Sequence, residues 1–188
     1  MKRLSRTRIK QLSGLKRALR TRQFVKFTRA VEPGSVQGFV LAIGPQFFLL
    51  ALVADGVRFN GFQCFRIADV REFQLPAKYA AFVQAALSKR GERMPRKPRL
   101  TIGSLEQLLW SANRAFPLVT IHRERVEPDI CHIGRVTALE KGWVSLLEIG
   151  PDALWDKQLS EYRLSEITRV DFGGDYEEAL HLVGGVPA

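Results

Sequence analysis

The chain has 188 residues, which is long enough for one large domain or two small ones. Its composition, 46% hydrophobic and 26% charged with a net charge of +10, is that of a globular protein and excludes wholesale disorder. Because no apolar run reaches the ~20 residues that a membrane-spanning helix needs, we predict no membrane span.

The first element is a basic arm. Residues 1–30 carry eleven Lys or Arg and no acidic residue. From Arg8 to Thr21, apolar residues recur near helical spacing at Ile9, Leu12, Leu15 and Leu19. The pattern predicts a basic amphipathic helix, weakened at Gly14, that covers one end of the domain after it. Such an arm can instead bind nucleic acid or an anionic membrane surface, or dock on an acidic partner.

Short strands follow the arm. Four stretches predict them by alternation, by continuous apolar character or by a hairpin pattern: residues 23–29, 37–43, 47–53 and 57–64. In residues 66–73 the apolar residues Ile67, Val70 and Phe73 are three apart, which predicts a short 3₁₀ turn that leads into the last strand. The fourth stretch contains Asn60-Gly61, the pair that a type I′ turn requires, so we predict a hairpin at these two residues. After Pro76, helical spacing predicts an amphipathic helix with an inner face of Tyr79, Phe82, Val83, Ala86 and Leu87.

A linker separates this half from the next. Residues 89–99 hold six basic residues, one acidic residue, Gly91 and two prolines, which predicts an extended, solvated segment. Ser104-Leu105-Glu106-Gln107 has capping-box spacing and predicts a helix that ends near Arg114. The strand predictions that follow are residues 119–124, 134–139, 142–149, 154–155, 162–164 and 168–172. Tyr176, Ala179, Leu180 and Val183 mark one face of a last helix.

The second half repeats the first. The stretch from Phe24 to Leu87 is written again from Leu118 to about Leu182, and the spacing between copies drifts by only two residues. Four pairs of anchors carry the repeat: Val31-Glu32-Pro33 and Val126-Glu127-Pro128, Gly38-x-Val40 and Gly134-x-Val136, Phe65-Arg66-Ile67 and Tyr162-Arg163-Leu164, and Tyr79 and Tyr176. An internal repeat of this length predicts a duplicated structural unit. We therefore place domain boundaries at residues 1–95 and 96–188.

Each unit is predicted to contain a helix, five short bent strands and a helix. An open sheet of five short strands would expose its edges, so we expect each unit to close into a small barrel. The first unit contains Gly38-Phe39-Val40, Phe48-Leu49-Leu50, Asp55-Gly56, Phe59-Asn60-Gly61-Phe62 and Phe65-Arg66-Ile67-Ala68-Asp69-Val70. This pattern resembles the Sm-like fold, and in particular an uncharacterised bacterial group of small-barrel proteins. The predicted fold is thus mainly β, with two tandem Sm-like/SH3-like five-stranded small barrels, each with an N-terminal and a C-terminal helix.

The resemblance implies no activity, because the groups that Sm proteins use to read RNA are missing. In those proteins an Asp and an Asn build the nucleotide pocket. In the first unit Gly44 and Phe48 stand at these positions, and in the second unit Glu140 and Val144 do. The Arg-Gly pair of the second Sm motif is absent from both units. RNA recognition of the Sm type is therefore disfavoured.

The sequence names no catalytic, cofactor or metal site. Cys64 and Cys131 lie at non-equivalent positions of the two units, which argues against a disulfide and predicts a cytoplasmic protein. Cys131 and His132 are adjacent and point to opposite sides of a strand, so they do not chelate one ion. The acidic group at Asp171, Asp175, Glu177 and Glu178 is interpreted as helix-start acids on a solvated face. The three tryptophans and the strand aromatics are interpreted as packing residues in preference to base-stacking residues.

We therefore predict a protein that is not an enzyme and has no cofactor. Its expected role is binding or scaffolding through protein–protein contacts, including contacts with its own copies. The alternative is an RNA- or DNA-binding module that grips phosphates with the basic arm and the linker. The candidate phosphate-binding residues are Lys10, Lys16, Arg17, Arg20, Arg22, Arg93, Arg96, Lys97 and Arg99.

Overall fold

The amphipathic stretches of the sequence form four helices and the alternating stretches form ten strands in the computed structural model, which describes residues 6–187. The first half of the chain contains α1 (Arg6–Thr21), β1 (Phe24–Arg29), β2 (Val36–Ile43), β3 (Phe47–Val53), β4 (Phe59–Arg66), β5 (Val70–Gln74) and α2 (Ala80–Lys89). The second half contains α3 (Leu105–Ala115), β6 (Val119–His122), β7 (Cys131–Glu140), β8 (Trp143–Ile149), β9 (Trp155–Arg163), β10 (Arg169–Phe172) and α4 (Asp175–Gly184). In both halves a three-residue 3₁₀ turn precedes the last strand. The prediction of a mainly β protein is confirmed.

All ten strands join in one open antiparallel sheet. Its order is β5-β1-β2-β3-β4-β10-β6-β7-β8-β9. Within residues 6–187, β4 pairs with β10 of the other half and not with β5 of its own half, so the predicted closure of each half into a separate five-stranded barrel is not found. The physical reason is that pairing between the halves satisfies the backbone groups of two edges that closure was expected to satisfy.

The sheet bends at matching places in the two halves. The register shifts between Val40 and Ala42 and again between Val136 and Ala138, where the second strand of each half pairs with the third. Such irregularities let an antiparallel sheet bend and twist locally. In each half the second strand, which contains the bend, contacts the N-terminal helix of that half.

The core consists of clusters on both sides of the sheet. Leu15 and Ala18 of α1 are fully buried against the first half of the sheet, in a cluster that includes Phe48 and Phe65. The largest cluster lies between the halves: it combines Phe47 and Cys64 with residues of α3 and of the strands β6 to β10. Since this cluster is shared, the two halves are held together by apolar burial as well as by strand pairing.

Three local predictions need correction. Asn60-Gly61 lies inside the continuous strand β4 and makes no hairpin turn; the turn lies at residues 54–58. Gly61 has a φ of +67° and leaves space for the backbone of Gly173 and Gly174, and Asn60 Oδ1 accepts a hydrogen bond from the backbone N–H of Asp175 at 2.8 Å. The pair thus serves contact between the halves, a role that a local turn signal does not encode.

The second correction concerns the faces of the last helix in each half. Only Val83 and Leu87 of the predicted α2 face are buried, while Tyr79 and Phe82 are each 64% exposed. In α4, Leu180 is buried and Val183 is 75% exposed. These ten-residue helices touch the sheet along a stripe that is narrower than their apolar spacing predicts.

The third correction concerns Gly14, where α1 continues without interruption. A Cβ atom at Gly14 would lie 3.0 Å from the ring of Phe73, so the glycine allows the helix to approach β5 closely. The linker predicted at residues 89–99 is found in part: Lys89 ends α2, and residues 92–103 form neither helix nor strand. The predicted cap is also found, since Ser104 Oγ accepts a hydrogen bond from the backbone N–H of Gln107 at 3.2 Å.

Residues 1–5 of the predicted basic arm and the C-terminal Ala188 lie outside the described residues. Among residues 6–187, no helix combines the length and the apolar character needed to cross a membrane. Cys64 is buried and Cys131 is exposed, and both are free thiols.

Two glycines allow the second and third strands of each half to pack closely. A Cβ atom at Gly38 would lie 2.2 Å from the carbonyl oxygen of Ala51, and one at Gly134 would lie 2.1 Å from that of Leu147. We expect Gly38→Ala and Gly134→Ala each to lower the free energy of unfolding by about 1–3 kcal/mol, because backbone must shift to relieve the overlap. Urea unfolding monitored by circular dichroism measures the change. Gly56→Ala is the matched control, since no atom lies within 4 Å of its Cβ position; equal losses in all three variants would contradict the prediction.

Candidate functional site

The junction of the two halves is the antiparallel pairing of β4 with β10. Phe62 lies opposite Phe172, and Cys64 lies opposite Val170. The rings of Phe62 and Phe172 are stacked, with centroids 6.0 Å apart. This pairing places the two remaining edges, β5 and β9, at opposite ends of the sheet.

A buried ion pair crosses the junction. Arg29 of β1 binds the carboxylate of Glu124 with both terminal nitrogens, at 2.8 and 3.1 Å, and the two side chains are 0% and 3% exposed. Glu32 extends the cluster by accepting a hydrogen bond from Arg29 at 2.8 Å and another from Arg169 at 2.9 Å. The guanidinium of Arg29 also lies over the ring of Phe65, 4.8 Å from its centroid. Any arrangement of the halves that separated Arg29 from Glu124 would leave a buried charge without its partner. The ion pair therefore favours the observed arrangement of the halves.

In the second half, the arginine equivalent to Arg29 is Arg123, and its ion pairs are made with residues of the same half. Arg123 lies over the ring of Tyr162, 4.7 Å from its centroid, and binds Glu166 at 2.7 Å and Glu127 at 2.6 Å. His132 contacts Glu127 at 2.9 Å and Glu148 at 3.2 Å. The charges of this cluster are therefore paired within the second half.

This second cluster shifts the pKa values of its members. Burial lowers the pKa of His132, but hydrogen bonds to Glu148 and Glu127 outweigh burial and raise the pKa above its ordinary value. Burial raises the pKa of Glu148, but hydrogen bonds from His132, Ser160 and Tyr162 outweigh it and lower the pKa to about 2. Burial and the hydrogen bond to Glu148 raise the pKa of Tyr162. His132 therefore gains charge more readily than a free histidine, and Glu148 stays ionised.

The open β5 edge borders a groove. The groove has a volume of about 780 Å³ and lies between α1 and β5, with Lys10, Gly14, Arg17, Arg71 and Phe73 among its lining residues. Arg17 also donates a hydrogen bond to the carbonyl oxygen of Leu75 at 3.0 Å. The groove has an aromatic floor and a basic rim.

The open β9 edge presents a different surface. Trp143 at the start of β8 is 39% exposed, and Arg163 lies over its ring at 4.9 Å from the centroid. Leu159 is 54% exposed on β9, and Glu140 and Glu161 are exposed beside it. This edge thus combines apolar side chains with acidic ones.

The nine candidate phosphate-binding residues are all exposed, and the fold divides them into three sets. Lys10 and Arg17 line the α1–β5 groove. Arg22, Arg93, Arg96 and Lys97 come together where the linker passes the end of α1. Lys16, Arg20 and Arg99 line none of these grooves.

The second set surrounds what we call the linker groove. It consists of two adjoining hollows of about 410 and 400 Å³ that share Arg22, Phe39 and Met94. Arg93 lines the first hollow, and Arg96 and Lys97 line the second. The result is a concave, mainly basic surface that also contains Glu92 and that presents cationic side chains to a phosphate chain. Phe39 in its wall is 4% exposed and packs in the core.

The described residues hold no group of three or more His, Cys, Asp or Glu with the geometry of a metal site. The interpretation of four residues as helix-start acids is wrong for one of them. Asp171 lies on β10, where its carboxylate accepts a hydrogen bond from Gln63 and contacts His122, each at 3.0 Å. Asp175 and Glu178 are exposed at the start of α4, as predicted. Phe47 is 2% exposed and packs in the core as expected, but Trp110 and Trp143 are 38% and 39% exposed.

Comparisons of the chain with protein-family models, with curated proteins and with solved structures find no match. The assignment of function therefore depends on the geometry of the open edges and of the grooves.

Sequence reasoning missed the junction residues and the groove. In the sequence Arg29 belongs to a basic arm, and no residue near it indicates that its partner is Glu124, 95 residues away. The one available signal was the repeat itself, because a duplicated unit with two edges per copy can pair one edge of each copy.

We expect Arg29→Met to lower the free energy of unfolding by about 3–5 kcal/mol, because it leaves the carboxylate of Glu124 buried without its main partner. The double variant Arg29→Met/Glu124→Met should recover most of the loss, since two apolar side chains of similar size leave no buried charge. Urea unfolding of the single and double variants measures both effects. Arg58→Met, at an exposed position, is the control and should change stability by less than about 0.5 kcal/mol. A double variant less stable than Arg29→Met would contradict this account.

Proposed function

We propose that the protein is a non-enzymatic binding or scaffold protein that uses the open edges β5 and β9 for protein–protein contacts. The observation that carries the proposal is that an equivalent pair of edges, β4 and β10, already forms a contact within the chain. An open edge presents unpaired backbone N–H and C=O groups, which is the basis of recognition by strand addition.

The surfaces beside the edges support this role. The α1–β5 groove offers space for a side chain next to β5, and Trp143, Leu159 and Arg163 offer side chains next to β9. Aromatic residues and arginine are the types that dominate binding energy at protein interfaces. We keep the cytoplasmic location as part of the proposal.

The Sm-like interpretation of the two halves also remains a proposal. The same order of elements in both halves supports it, as does the equal strand order, β5-β1-β2-β3-β4 and β10-β6-β7-β8-β9. In this interpretation each half is a bent five-stranded unit that shares an edge with its neighbour.

The proposal is tested with a peptide that has the sequence of β4, Phe59–Arg66, added to the full-length protein. β4 is the internal partner of β10, so the peptide should pair with the equivalent open edge, β5. We expect shift changes in the backbone amide signals of residues 70–75 and of α1 in NMR spectra of the protein.

The matched control is the same peptide with Cys64→Pro, because proline lacks the N–H that a strand ladder needs. It should leave the spectrum unchanged. Equal shift changes from both peptides, or no changes near β5 at millimolar peptide, would contradict strand addition at this edge.

The second candidate function is binding of RNA or DNA. The observation that favours it is the linker groove, where residues from α1 and from the linker converge although Arg22 and Arg93 are far apart in sequence. Phosphate contacts of lysine and arginine give binding that depends steeply on salt and little on sequence. The groove would hold the backbone of a single strand, with Phe39 in its wall.

We expect the variant Arg22→Gln/Arg93→Gln/Arg96→Gln/Lys97→Gln, which removes the four cationic side chains of the linker groove, to lose binding to single-stranded RNA in fluorescence anisotropy. If all four residues contact phosphates, the slope of log affinity against log salt should fall by about 3 between ~50 and ~200 mM salt. Substitution is preferable to removal of the arm, because Leu15 and Ala18 of α1 are part of the core.

The control removes four exposed charges elsewhere: Arg58→Gln/Lys78→Gln/Lys141→Gln/Lys157→Gln. It should retain the wild-type salt slope. If both variants lose affinity equally, the binding reflects overall charge and the linker groove is not the site.

A further inference from the structure

We propose that the partner at the open edges is a second copy of this chain, bound head to tail: β9 of one copy pairs with β5 of the next, and Trp143 enters the α1–β5 groove. This inference rests on the proposed function, because it names the partner that the edges take.

The contact within the chain supplies the pattern for a contact between chains. β4 and β9 are the fourth strands of their halves, and β5 and β10 are the fifth strands, each paired with the first strand of its half. The chain pairs one fourth strand with one fifth strand and leaves one of each free. The free edges are therefore one fourth strand and one fifth strand, the same two kinds of strand that pair within the chain. A second copy can supply the missing partner of each free edge.

Trp143 stands at the position of Phe47. In the strand register Phe47 lies opposite Arg66, and Trp143 lies opposite Arg163. Each guanidinium lies over the ring that it faces, at 5.7 and 4.9 Å from the centroid. Phe47 is 2% exposed because the second half covers it, whereas Trp143 is 39% exposed. Arg66 donates to the carbonyl oxygens of Ser165 and Ile167 across the junction, which assigns Arg163 the same role toward the next copy.

The α1–β5 groove differs from the equivalent surface of the second half in the residues that line it. The helices α1 and α3 align through their fully buried residues, Leu15 and Ala18 in one and Leu109 and Ala112 in the other. This alignment places Gly14 at the position of Leu108, which is fully buried in the cluster that contains Phe47. Gly14 and Phe73 both line the groove of about 780 Å³, and the ring of Phe73 covers the space that a side chain at Gly14 would fill. An indole that enters the groove therefore meets the ring of Phe73, and aromatic pairs of this kind stabilise a contact beyond their buried area.

The charges of the two free surfaces are complementary. Glu161 stands at the position of Cys64, because each lies opposite the equivalent residue of the third strand, Ser145 or Leu49. Arg17 stands, by the same alignment of helices, at the position of Ser111. Cys64 is buried in the cluster between the halves and Ser111 is buried beside Thr101, whereas Glu161 and Arg17 are exposed on the free surfaces. Head-to-tail docking brings this carboxylate and this guanidinium into the same groove.

The strand register also brings apolar residues together. Phe62 lies opposite Phe172 within the chain, and the equivalent positions on the free edges are Leu159 and Leu75. Leu159 is 54% exposed and Leu75 is half-buried. Pairing of β9 with β5 covers both leucines, which gives the contact an apolar centre with charges at its rim.

Sedimentation velocity of the full-length protein at low salt tests the inference, from about 5 to about 200 µM, the range in which modest interfaces associate. The expected result is a mass that rises with concentration above the 21.3 kDa of one chain. Trp143→Ala should weaken this association by about tenfold or more, since a central aromatic anchor is lost. Trp110→Ala is the matched control, because Trp110 is exposed to a similar degree, 38%, and lies on α3, which contacts β6 and β7; it should associate as the wild type does.

A charge exchange between Arg17 and Glu161 adds a second test. A variant that simply fails to fold would not regain association when the second substitution is added. Arg17→Glu and Glu161→Arg should each weaken association, and the double variant Arg17→Glu/Glu161→Arg should restore it, because the opposite charges again face each other across the contact. Equimolar mixing of the two single variants should also restore association, because every contact between unlike variants pairs opposite charges: the wild-type pair at one end and the exchanged pair at the other.

A mass of 21.3 kDa over the whole concentration range would overturn the inference. So would association that Trp143→Ala leaves unchanged, or a double charge variant that associates no better than the single ones. If the β4 peptide binds at β5 while the full-length chain stays monomeric, the second copy is refuted as the partner and the proposed function stands. If the peptide also fails to bind, the proposed function fails as well.

Discussion

The pairing of β4 with β10 is the contact on which the rest of the structure depends. It converts two five-stranded halves into one ten-stranded sheet and encloses the largest apolar cluster between them. The bidentate pair of Arg29 and Glu124 lies at this contact, fully removed from solvent. A buried ion pair of this kind adds little net stability, because desolvation offsets the attraction, but it penalises any arrangement of the halves that separates the two charges. Apolar burial therefore stabilises the contact, and the ion pair makes it specific.

The internal contact and the free edges differ in chemistry in a consistent direction. Phe47, Leu49 and Cys64 are buried at the internal contact, and the equivalent residues on the free side are Trp143, Ser145 and Glu161. A permanent contact tolerates a fully apolar surface because it is never exposed. A surface that is exposed part of the time needs polar groups around a small apolar centre, which is the composition of the β9 edge. The self-contained cluster of Arg123 and its partners fits the same requirement, since it leaves no buried charge unpaired when β9 is free.

The basic residues of the chain serve different surfaces once the chain is folded. Lys10 and Arg17 border the β5 edge, while Arg22, Arg93, Arg96 and Lys97 border the linker groove. The basic residues that the sequence places in an arm and a linker thus lie at two sites with distinct geometry in the folded chain. Protein contacts at the edges and phosphate contacts in the linker groove are physically compatible, because the two proposals use different side chains.

The sequence by itself determined the local structure. Period-two and helical apolar patterns, the Ser104 cap and the breaks at glycine and proline placed most strands and all four helices close to where they lie, because these signals act between residues near each other in the chain. Repetition of Val-Glu-Pro and Gly-x-Val anticipated two halves with the same order of elements. These are properties of backbone preference and of one apolar face, and they need no knowledge of the partner.

Only the tertiary structure decided which strand edges pair. That pairing also decided where the candidate sites lie. Five short strands can satisfy their edges by closing on themselves or by pairing with a neighbour, and the local pattern is the same in both cases. Asn60-Gly61 is an example: the pair has the sequence of a turn, yet it lies within β4 because the backbone of Gly173 and Gly174 approaches it there. The Arg29–Glu124 pair, the exposure of Trp143 and the groove beside Gly14 likewise depend on contacts between residues far apart in sequence. Such contacts are set by the shape and burial of the assembled sheet, and no pattern within a strand or a helix records them.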